Sequence, residues 1–308
     1  MKTTLTIILV SIYFYSYNQT GHLEVLASSG DYYTGQTITM SMTFGESFTE
    51  TLYGTNLIAT QGFQQPLKIP IKLDVQAFLE GPFSGTEMLP FLNFFGFLPL
   101  QHPYSAPPWT YQGAENVPAI PNPNIIDWVL VELRDTPYSA DSAGVNTRIE
   151  RKAAFLLRDG RVVDTDGASI LQFKSAAKNN IYVVLYHRNH LGIMSAYPLT
   201  KQNGIYTCDF TSGPQLVYGG VLGYKQLGTT QWGMVGGDGD ASGTINNQDK
   251  MDVWNAQSGT SGYLAGDFNM SGNVDNQDKL DIWVPNSGSG TQVPDSTPDG
   301  GYSSQIPM

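Results

Sequence analysis

Two copies of one pattern dominate the C-terminal part of the sequence. The stretch from Gly237 to Trp254 aligns with the stretch from Gly266 to Trp283 at a constant offset of 29 positions. Each copy carries oxygen-bearing side chains at positions 1, 3, 5, 9 and 12 of a twelve-residue loop, with glycine at position 6. A calcium loop has this spacing, because the ion needs several hard oxygen ligands and glycine permits the sharp turn. The sequence therefore predicts two calcium sites.

The pattern names the ligands of each site, with position 7 acting through its backbone carbonyl. For the first site they are Asp238, Asp240, Ser242, Thr244, Asn246 and Asp249. For the second they are Asp267, Asn269, Ser271, Asn273, Asp275 and Asp278. Serine at position 5 removes a charge from each site and predicts a weaker affinity than an Asp-rich loop has. The position-8 residues, Ile245 and Val274, are expected to pair across the two loops and to face a small core. A glycine-rich turn without metal is the alternative, and duplication of the pattern argues against it.

The duplicated loop, with Asp at position 12 and Asn or Asp at position 9, resembles a type I dockerin. The resemblance implies one helix after each loop and a cohesin module bound through positions 10 and 11. Those positions are held by Asn247, Gln248, Asn276 and Gln277. The helices are expected to be short, ending near Asn255 and at Pro285. Trp254 and Trp283 stand at matching places and are able to pack the repeats on the chain's own body, so docking on a cohesin-like partner and docking in cis remain alternatives.

The N-terminal part of the sequence indicates export. Residues 1–18 are typical of a secretory signal peptide, with Lys2 before the apolar run Leu5–Phe14, which is too short to span a bilayer as a helix. Residues 19–66 are predicted as a β segment, because apolar residues alternate with Ser and Thr around Met40. The runs Thr43–Glu46 and Thr60–Pro66 resemble a segment of secreted and surface proteins of Bacteroidetes. The expected location is extracellular or on the outer cell surface.

Residues 67–236 are predicted to form a β-sandwich, because short strands follow one another with turn signals between them. The candidate strands are Ile69–Phe78, Ile126–Arg134, Lys152–Leu157, Arg161–Thr165, Ile181–His187, Gly192–Ala196, Ile205–Phe210 and Leu216–Val221. The proline-rich stretch Pro82–Pro123 is expected to be a loop packed across the sandwich. The single Cys208 excludes an internal disulfide and is expected to be half-buried.

The body shows no strong catalytic signature. The runs Asn124–Arg134 and Tyr182–Ala196 resemble a module fused to dockerin-like repeats in Bacteroidetes proteins, and this resemblance brings no catalytic residues. His187 and His190 point to opposite faces of a strand unless a turn intervenes, so a hydrogen-bonding role is expected rather than a metal site. The sequence contains no nucleophile elbow, phosphate loop or dinucleotide fingerprint. The chain is therefore predicted not to be an enzyme.

Two further functions remain as alternatives. One is a polysaccharide-binding module or an accessory subunit of a carbohydrate-degrading system. Its candidate residues would form a flat aromatic platform, and they otherwise fill the core: Tyr104, Trp109, Tyr111, Trp128 and Tyr138. A structural subunit of a surface layer or fibre is the other. A net charge of −11 argues against a nucleic-acid partner. Residues 286–308 are rich in Ser, Gly, Pro and Asp and are expected to be a flexible tail.

Together these patterns predict a mainly β protein. It consists of a β-sandwich body and a small C-terminal α/loop module, residues 237–285, with the duplicated, dockerin-like calcium loops. The predicted function is that of a secreted, non-catalytic calcium-binding protein in adhesion or assembly.

Overall fold

The computed structural model describes residues 70–294 throughout and, before them, the backbone of four strands. These strands are β1 (Ser29–Thr34), β2 (Thr39–Phe44), β3 (Thr51–Tyr53) and β4 (Ile58–Thr60). β1 pairs with β2 and β3 pairs with β4, both antiparallel. β2 lies in the stretch that the alternation around Met40 predicts. The predicted signal peptide, residues 1–18, lies outside the described residues. The chain divides after Leu67 into two compact units.

The second unit contains the remaining strands. They are β5 (Ile71–Gln76), β6 (Phe83–Ser84), β7 (Glu87–Met88), β8 (Ile125–Thr136), β9 (Arg148–Leu157), β10 (Arg161–Val163), β11 (Leu171–Phe173), β12 (Asn180–His187), β13 (His190–Met194), β14 (Thr200–Gln202), β15 (Ile205–Asp209), β16 (Tyr224–Gln226) and β17 (Trp232–Met234). Nine of them form one sheet in the order β13-β12-β8-β9-β10-β5-β15-β14, with β11 also paired to β5. Its pairs are antiparallel except for β15 and β5, which run parallel.

The fold is mainly β, as the sequence predicts, and the sheet curls into a half-barrel. The arrangement as two packed sheets stays a prediction. The central strand β8 is buried at almost every position, so both of its faces are covered. The prediction of a strand at Leu216–Val221 is wrong, because two 3-10 turns, Pro214–Leu216 and Gly220–Leu222, overlap this stretch. Gly219 takes a φ of 79° there, which is incompatible with a strand.

The proline-rich stretch packs on the sheet as a loop. It contains β6, β7 and a one-turn helix, α1 (Phe91–Phe94), and is otherwise irregular from Pro82 to Pro123. The Tyr104 hydroxyl donates to the Trp128 carbonyl at 2.7 Å, and Trp128 Nε1 donates to the Pro99 carbonyl at 2.8 Å. These bonds fix the loop over β8. Two further 3-10 turns, Ala140–Ser142 and Val145–Thr147, connect β8 to β9.

Each repeat carries one helix after its loop. Residues 247–257 and 276–286 are helical, with π-helical turns at Asp249–Trp254 and Asp278–Trp283 followed by Asn255–Gln257 and Val284–Asn286. Gly259 and Gly288 follow with φ of 81° and 95°. A left-handed glycine at this place ends a helix, so both helices stop at matching positions.

The predicted flexible tail begins too early. Asn286, Thr291, Gln292 and Val293 are at most 6% exposed. Thr291 Oγ1 donates to the Gly192 carbonyl at 2.7 Å, and the Arg134 guanidinium donates to the Pro294 carbonyl at 2.8 Å. The segment has few apolar side chains, but hydrogen bonds to the body hold it in place. Residues 295–308 lie outside the described residues.

Candidate metal centre

The first repeat loop brings three carboxylates together. Asp238, Asp240 and Asp249 each place one carboxylate oxygen within 4.8 Å of the others. Backbone N–H groups orient two of them: Gly243 donates to both Asp238 oxygens at 3.2 and 3.0 Å, and Asn246 donates to Asp249 Oδ2 at 2.7 Å. Asp238 and Asp249 are buried. The acidic cluster that the spacing predicts is therefore present in the first loop.

The second loop repeats this geometry. Asp267 accepts hydrogen bonds from the backbone of Ser271 and Gly272 at 2.9 and 2.8 Å. Asp278 accepts from the backbone of Asn269 and Asp275 at 2.9 and 2.8 Å. Both carboxylates are fully buried. Position 3 is an amide, so this loop has one carboxylate fewer than the first among positions 1, 3 and 12.

The backbone explains why the two loops have one shape. The position-6 residues Gly243 and Gly272 have φ of 79° and 90°, in the left-handed region that the sequence predicts for them. Position 4 is also left-handed, with φ of 55° at Ala241 and 58° at Met270. The sequence does not indicate this second turn, because neither residue type favours such a φ.

The remaining oxygens lie on the same loops but have partners of their own. The hydroxyls of Ser242 and Ser271, at position 5, lie 3.3 Å from the position-7 carbonyls of Thr244 and Asn273. The position-9 side chains start the helices: Asn246 Oδ1 and Asp275 Oδ1 each accept from the backbone N–H two residues later, at 2.7 Å. Position 9 of a calcium loop often reaches the ion through water.

Burial perturbs the position-1 and position-12 carboxylates. It is the largest cause of the raised pKa of Asp249 and Asp267, to about 7, and of Asp278, to about 6. The pKa of Asp238 is also raised well above its usual value, first by burial and then by the negative charges of Asp249 and Asp240. Burial therefore makes the charged form of these carboxylates unfavourable unless a positive partner offsets the cost.

The two repeats hold each other through their tryptophans. Trp254 Nε1 of the first repeat donates to the carbonyl of Asp275 at 2.8 Å, and Trp283 Nε1 of the second donates to the carbonyl of Asn246 at 3.0 Å. Each tryptophan thus binds position 9 of the other loop. Both indoles belong to a small core that includes Leu191 and Val235 of the body, as expected for packing in cis.

The predicted pairing of the position-8 residues across the two loops is wrong. The bonds that replace it join Ile245 to Gly288 and Ser289 at 2.8 and 2.9 Å, and Val274 to Gly259 and Thr260 at 2.8 and 2.9 Å. The segment after each helix therefore pairs with the loop of the other repeat. Ile245 and Val274 still face the small core, as predicted. Ser258-Gly259 and Ser287-Gly288 lie 29 positions apart, so the sequence did contain a signal that the repeat extends past residue 285.

The four predicted partner-binding residues are on the surface. Asn247, Gln248, Asn276 and Gln277 are all exposed. One turn further along each helix stands an exposed apolar side chain, Met251 at 56% and Leu280 at 58% exposure. Each repeat thus presents the same polar and apolar helix face to solvent.

The histidine pair lies at the turn between β12 and β13. The intervening turn places His187 Nδ1 3.0 Å from His190 Nδ1. The other ring nitrogens are also bonded, since His187 Nε2 lies 3.1 Å from Asp127 Oδ2 and His190 Nε2 accepts from the Gly81 N–H at 3.2 Å. All four nitrogens have protein partners, so the hydrogen-bonding role expected from the sequence is the observed one.

The predicted aromatic platform does not form on the surface. Tyr104, Trp109, Tyr111 and Trp128 are at most 9% exposed, and only Tyr138 of the five is exposed. The side chains fill the core and hold the proline-rich loop, which is the structural role that the sequence left open for them. Cys208 is half-buried, as expected.

In the part of the chain that the structure describes, no helix is both long and apolar enough to cross a membrane. No protein-family description matches the chain, and no curated protein matches it. A solved structure with partial similarity is an N-terminal interface mutant of the type II cohesin–X–dockerin complex from Acetivibrio cellulolyticus. The identity is 14%, the alignment covers 71% of this chain and 97% of that chain, and the TM-score is 0.35. A TM-score of this size does not establish a shared fold.

Proposed function

We propose that the chain is a secreted, non-catalytic protein that binds two calcium ions through its duplicated loops and acts in adhesion or assembly outside the cell. In this proposal the repeats are a dockerin-like module and the body is a β-sandwich. The observation that carries the proposal is the cluster formed by Asp238, Asp240 and Asp249, with its counterpart in the second loop.

The donor set fits calcium by its chemistry. Every predicted ligand is a carboxylate, amide, hydroxyl or backbone oxygen, and calcium takes six to eight such oxygens. The backbone N–H groups of Gly243 and Gly272 direct the position-1 carboxylates into their loops. The ion supplies the positive charge that these buried carboxylates need. The residues that would hold it are the two sets of six predicted from the spacing.

The repeats have two surfaces with different roles in this proposal. The face with Trp254 and Trp283 packs in cis on the body through the small core. The face with the position-10 and position-11 residues is exposed and is the one proposed to bind a protein module, cohesin-like in the dockerin interpretation. Docking in cis and binding a partner are therefore compatible. The buried state of most platform aromatics gives polysaccharide binding no comparable support.

Calorimetric titration of the secreted chain with calcium tests the proposal. We expect two sites in the unaltered chain, one in Asp249→Asn and none in the variant that combines Asp249→Asn with Asp278→Asn. Loss of the position-12 carboxylate should weaken a site by on the order of 100-fold. The matched control combines Asp252→Asn with Asp281→Asn, which removes the same charge from exposed positions three residues further along each helix. Equal heats from all four proteins would reject the calcium sites.

A further inference from the structure

The turn between β12 and β13 contacts both loops through one residue. The Asn189 carbonyl accepts hydrogen bonds from the N–H groups of Gly237 and Asp238 at 3.0 and 3.2 Å. Its side-chain Nδ2 donates to the carbonyls of Ala265 and Asp267 at 3.2 and 2.8 Å. Asp238 and Asp267 are position 1 of the first and second loops. A single residue of the body therefore binds the backbone at the first ligand of each loop.

The neighbouring histidine determines how the Asn189 amide is directed. His190 Nε2 accepts from the Gly81 N–H at 3.2 Å, so the proton of the neutral ring is on Nδ1. His190 Nδ1 lies 2.9 Å from Asn189 Oδ1 and 3.0 Å from His187 Nδ1, so its proton is shared between these two acceptors. The two amide donors are then left for the carbonyls of Asp267, the first residue of the second loop, and of Ala265, two residues before it. Asn189 is fully buried, and both polar groups of its side chain are hydrogen-bonded.

Arg188 fixes the same turn to the sheet and to the approach of the second loop. Its Nε donates to Asp127 Oδ2 of β8 at 2.9 Å, and its Nη1 donates to the Leu264 carbonyl. The guanidinium carbon lies 4.4 Å from the centre of the Tyr263 ring, and the Tyr263 hydroxyl donates to Asp127 Oδ1 at 2.6 Å. These contacts bind the turn to β8 and to the segment just before the second loop.

We infer that Asn189 is a positioning residue for both calcium loops, its carbonyl for the first and its side chain for the second. The inference rests on the proposed calcium sites. Residues that orient the ligands of a metal site contribute about 10- to 100-fold to affinity without touching the ion. Truncation of the Asn189 side chain removes its bonds to the second loop but leaves its backbone carbonyl, which holds the first loop. Its effect on the two sites is therefore expected to differ.

The test measures each site by itself in the full chain. The Asp249→Asn background leaves only the second site, and the Asp278→Asn background leaves only the first. We expect Asn189→Ala to weaken calcium binding about tenfold in the first background and much less in the second. The control is Asn179→Ala, which truncates an exposed asparagine just before β12. Equal affinity with and without Asn189→Ala at the second site would overturn the inference, as would equal losses at both sites.

A second measurement uses the unaltered chain and does not depend on how a variant folds. Hydrogen exchange is followed by mass spectrometry with and without calcium. We expect calcium to slow exchange in residues 187–190 and to leave the turn between β14 and β15 unchanged, because β14 lies at the opposite edge of the sheet. An exchange rate at residues 187–190 that is the same with and without calcium would contradict the role of Asn189. Absence of calcium binding in the unaltered chain would instead reject the proposed function.

Discussion

At the scale of single residues, the buried loop carboxylates determine the response to pH. Without calcium, the pKa of Asp249 and of Asp267 is about 7 and that of Asp278 about 6, all above the unfolded value. Between the unfolded pKa of about 4 and the folded pKa values, the folded state therefore binds more protons than the unfolded state. We expect the calcium-free chain to lose stability as the pH rises from about 4 to about 7, and to change little above that.

Urea denaturation of the chain in chelator at about pH 5 and about pH 8 checks this expectation. With saturating calcium the trend should reverse, because the ion binds the deprotonated carboxylates and its affinity rises with pH. The variant with both Asp249→Asn and Asp278→Asn is the control and should show a weaker pH dependence in chelator. A calcium-free chain that is more stable at about pH 8 than at about pH 5 would contradict the assignment of these carboxylates.

The residues proposed as ligands could be named from the sequence because a calcium loop is local. Its ligands are neighbours in the chain, so their spacing alone specifies the site. Asn189 was not predictable, since its partners Asp238 and Asp267 lie far along the chain. The two histidines, His187 and His190, are the conspicuous residues of this turn, but Asn189 is the one that contacts the loops.

At the scale of elements, the two repeats exchange contacts, and this exchange has a testable consequence. Trp254 binds the carbonyl at position 9 of the second loop, not of its own. In the Asp249→Asn background, where only the second site remains, we expect Trp254→Phe to weaken calcium binding several-fold, because the loop loses a hydrogen bond worth about 1 kcal/mol.

Trp283→Phe in the same background is the matched control. It removes the bond to Asn246 of the first loop, which is already disabled, and should leave the affinity of the second site unchanged. Calorimetric titration measures both variants. A larger loss from Trp283→Phe than from Trp254→Phe would show that each tryptophan supports its own loop.

Element positions followed from the sequence where one pattern governed them. Short strand-like runs between turn signals located most strands of the sheet, although β8 and β9 extend past the predicted ends. The strand predicted at Leu216–Val221 does not form, because two of its glycines have a positive φ despite the apolar composition of the stretch. The position-8 pairing failed because the extended segment after each helix competes for the same N–H and carbonyl groups. The competing segments come from the other repeat, so the sequence around position 8 contains no pattern that indicates them.

At the scale of the whole molecule, the segment after the second helix belongs to the folded unit. Its residue Ser289 pairs with Ile245 of the first loop, and Thr291 and Pro294 accept or donate hydrogen bonds to the body. We expect a chain ending at Asn286 to lose on the order of 5 kcal/mol of stability, since it loses five hydrogen bonds to the rest of the chain and each contributes about 1 kcal/mol.

The same truncation should also weaken the first calcium site more than the second. Thermal denaturation and calcium titration measure the two effects, and a chain ending at Ser296 keeps these hydrogen bonds and serves as the control. Equal stability of the two truncated chains would contradict the packing of this segment. The composition of this segment predicts disorder because it has few apolar side chains. Composition does not indicate the hydrogen bonds that the segment makes to distant strands.

The reciprocal contacts of the repeats also bear on what a single copy would do. Each loop is closed by the segment that follows the other helix, and each tryptophan binds the opposite loop. One copy by itself would leave its loop open and its tryptophan unpaired. Two such copies on separate chains would complete each other around a twofold axis. The duplicated module thus has the organisation of a homodimer joined into one chain, in which each half supplies contacts that close the loop of the other.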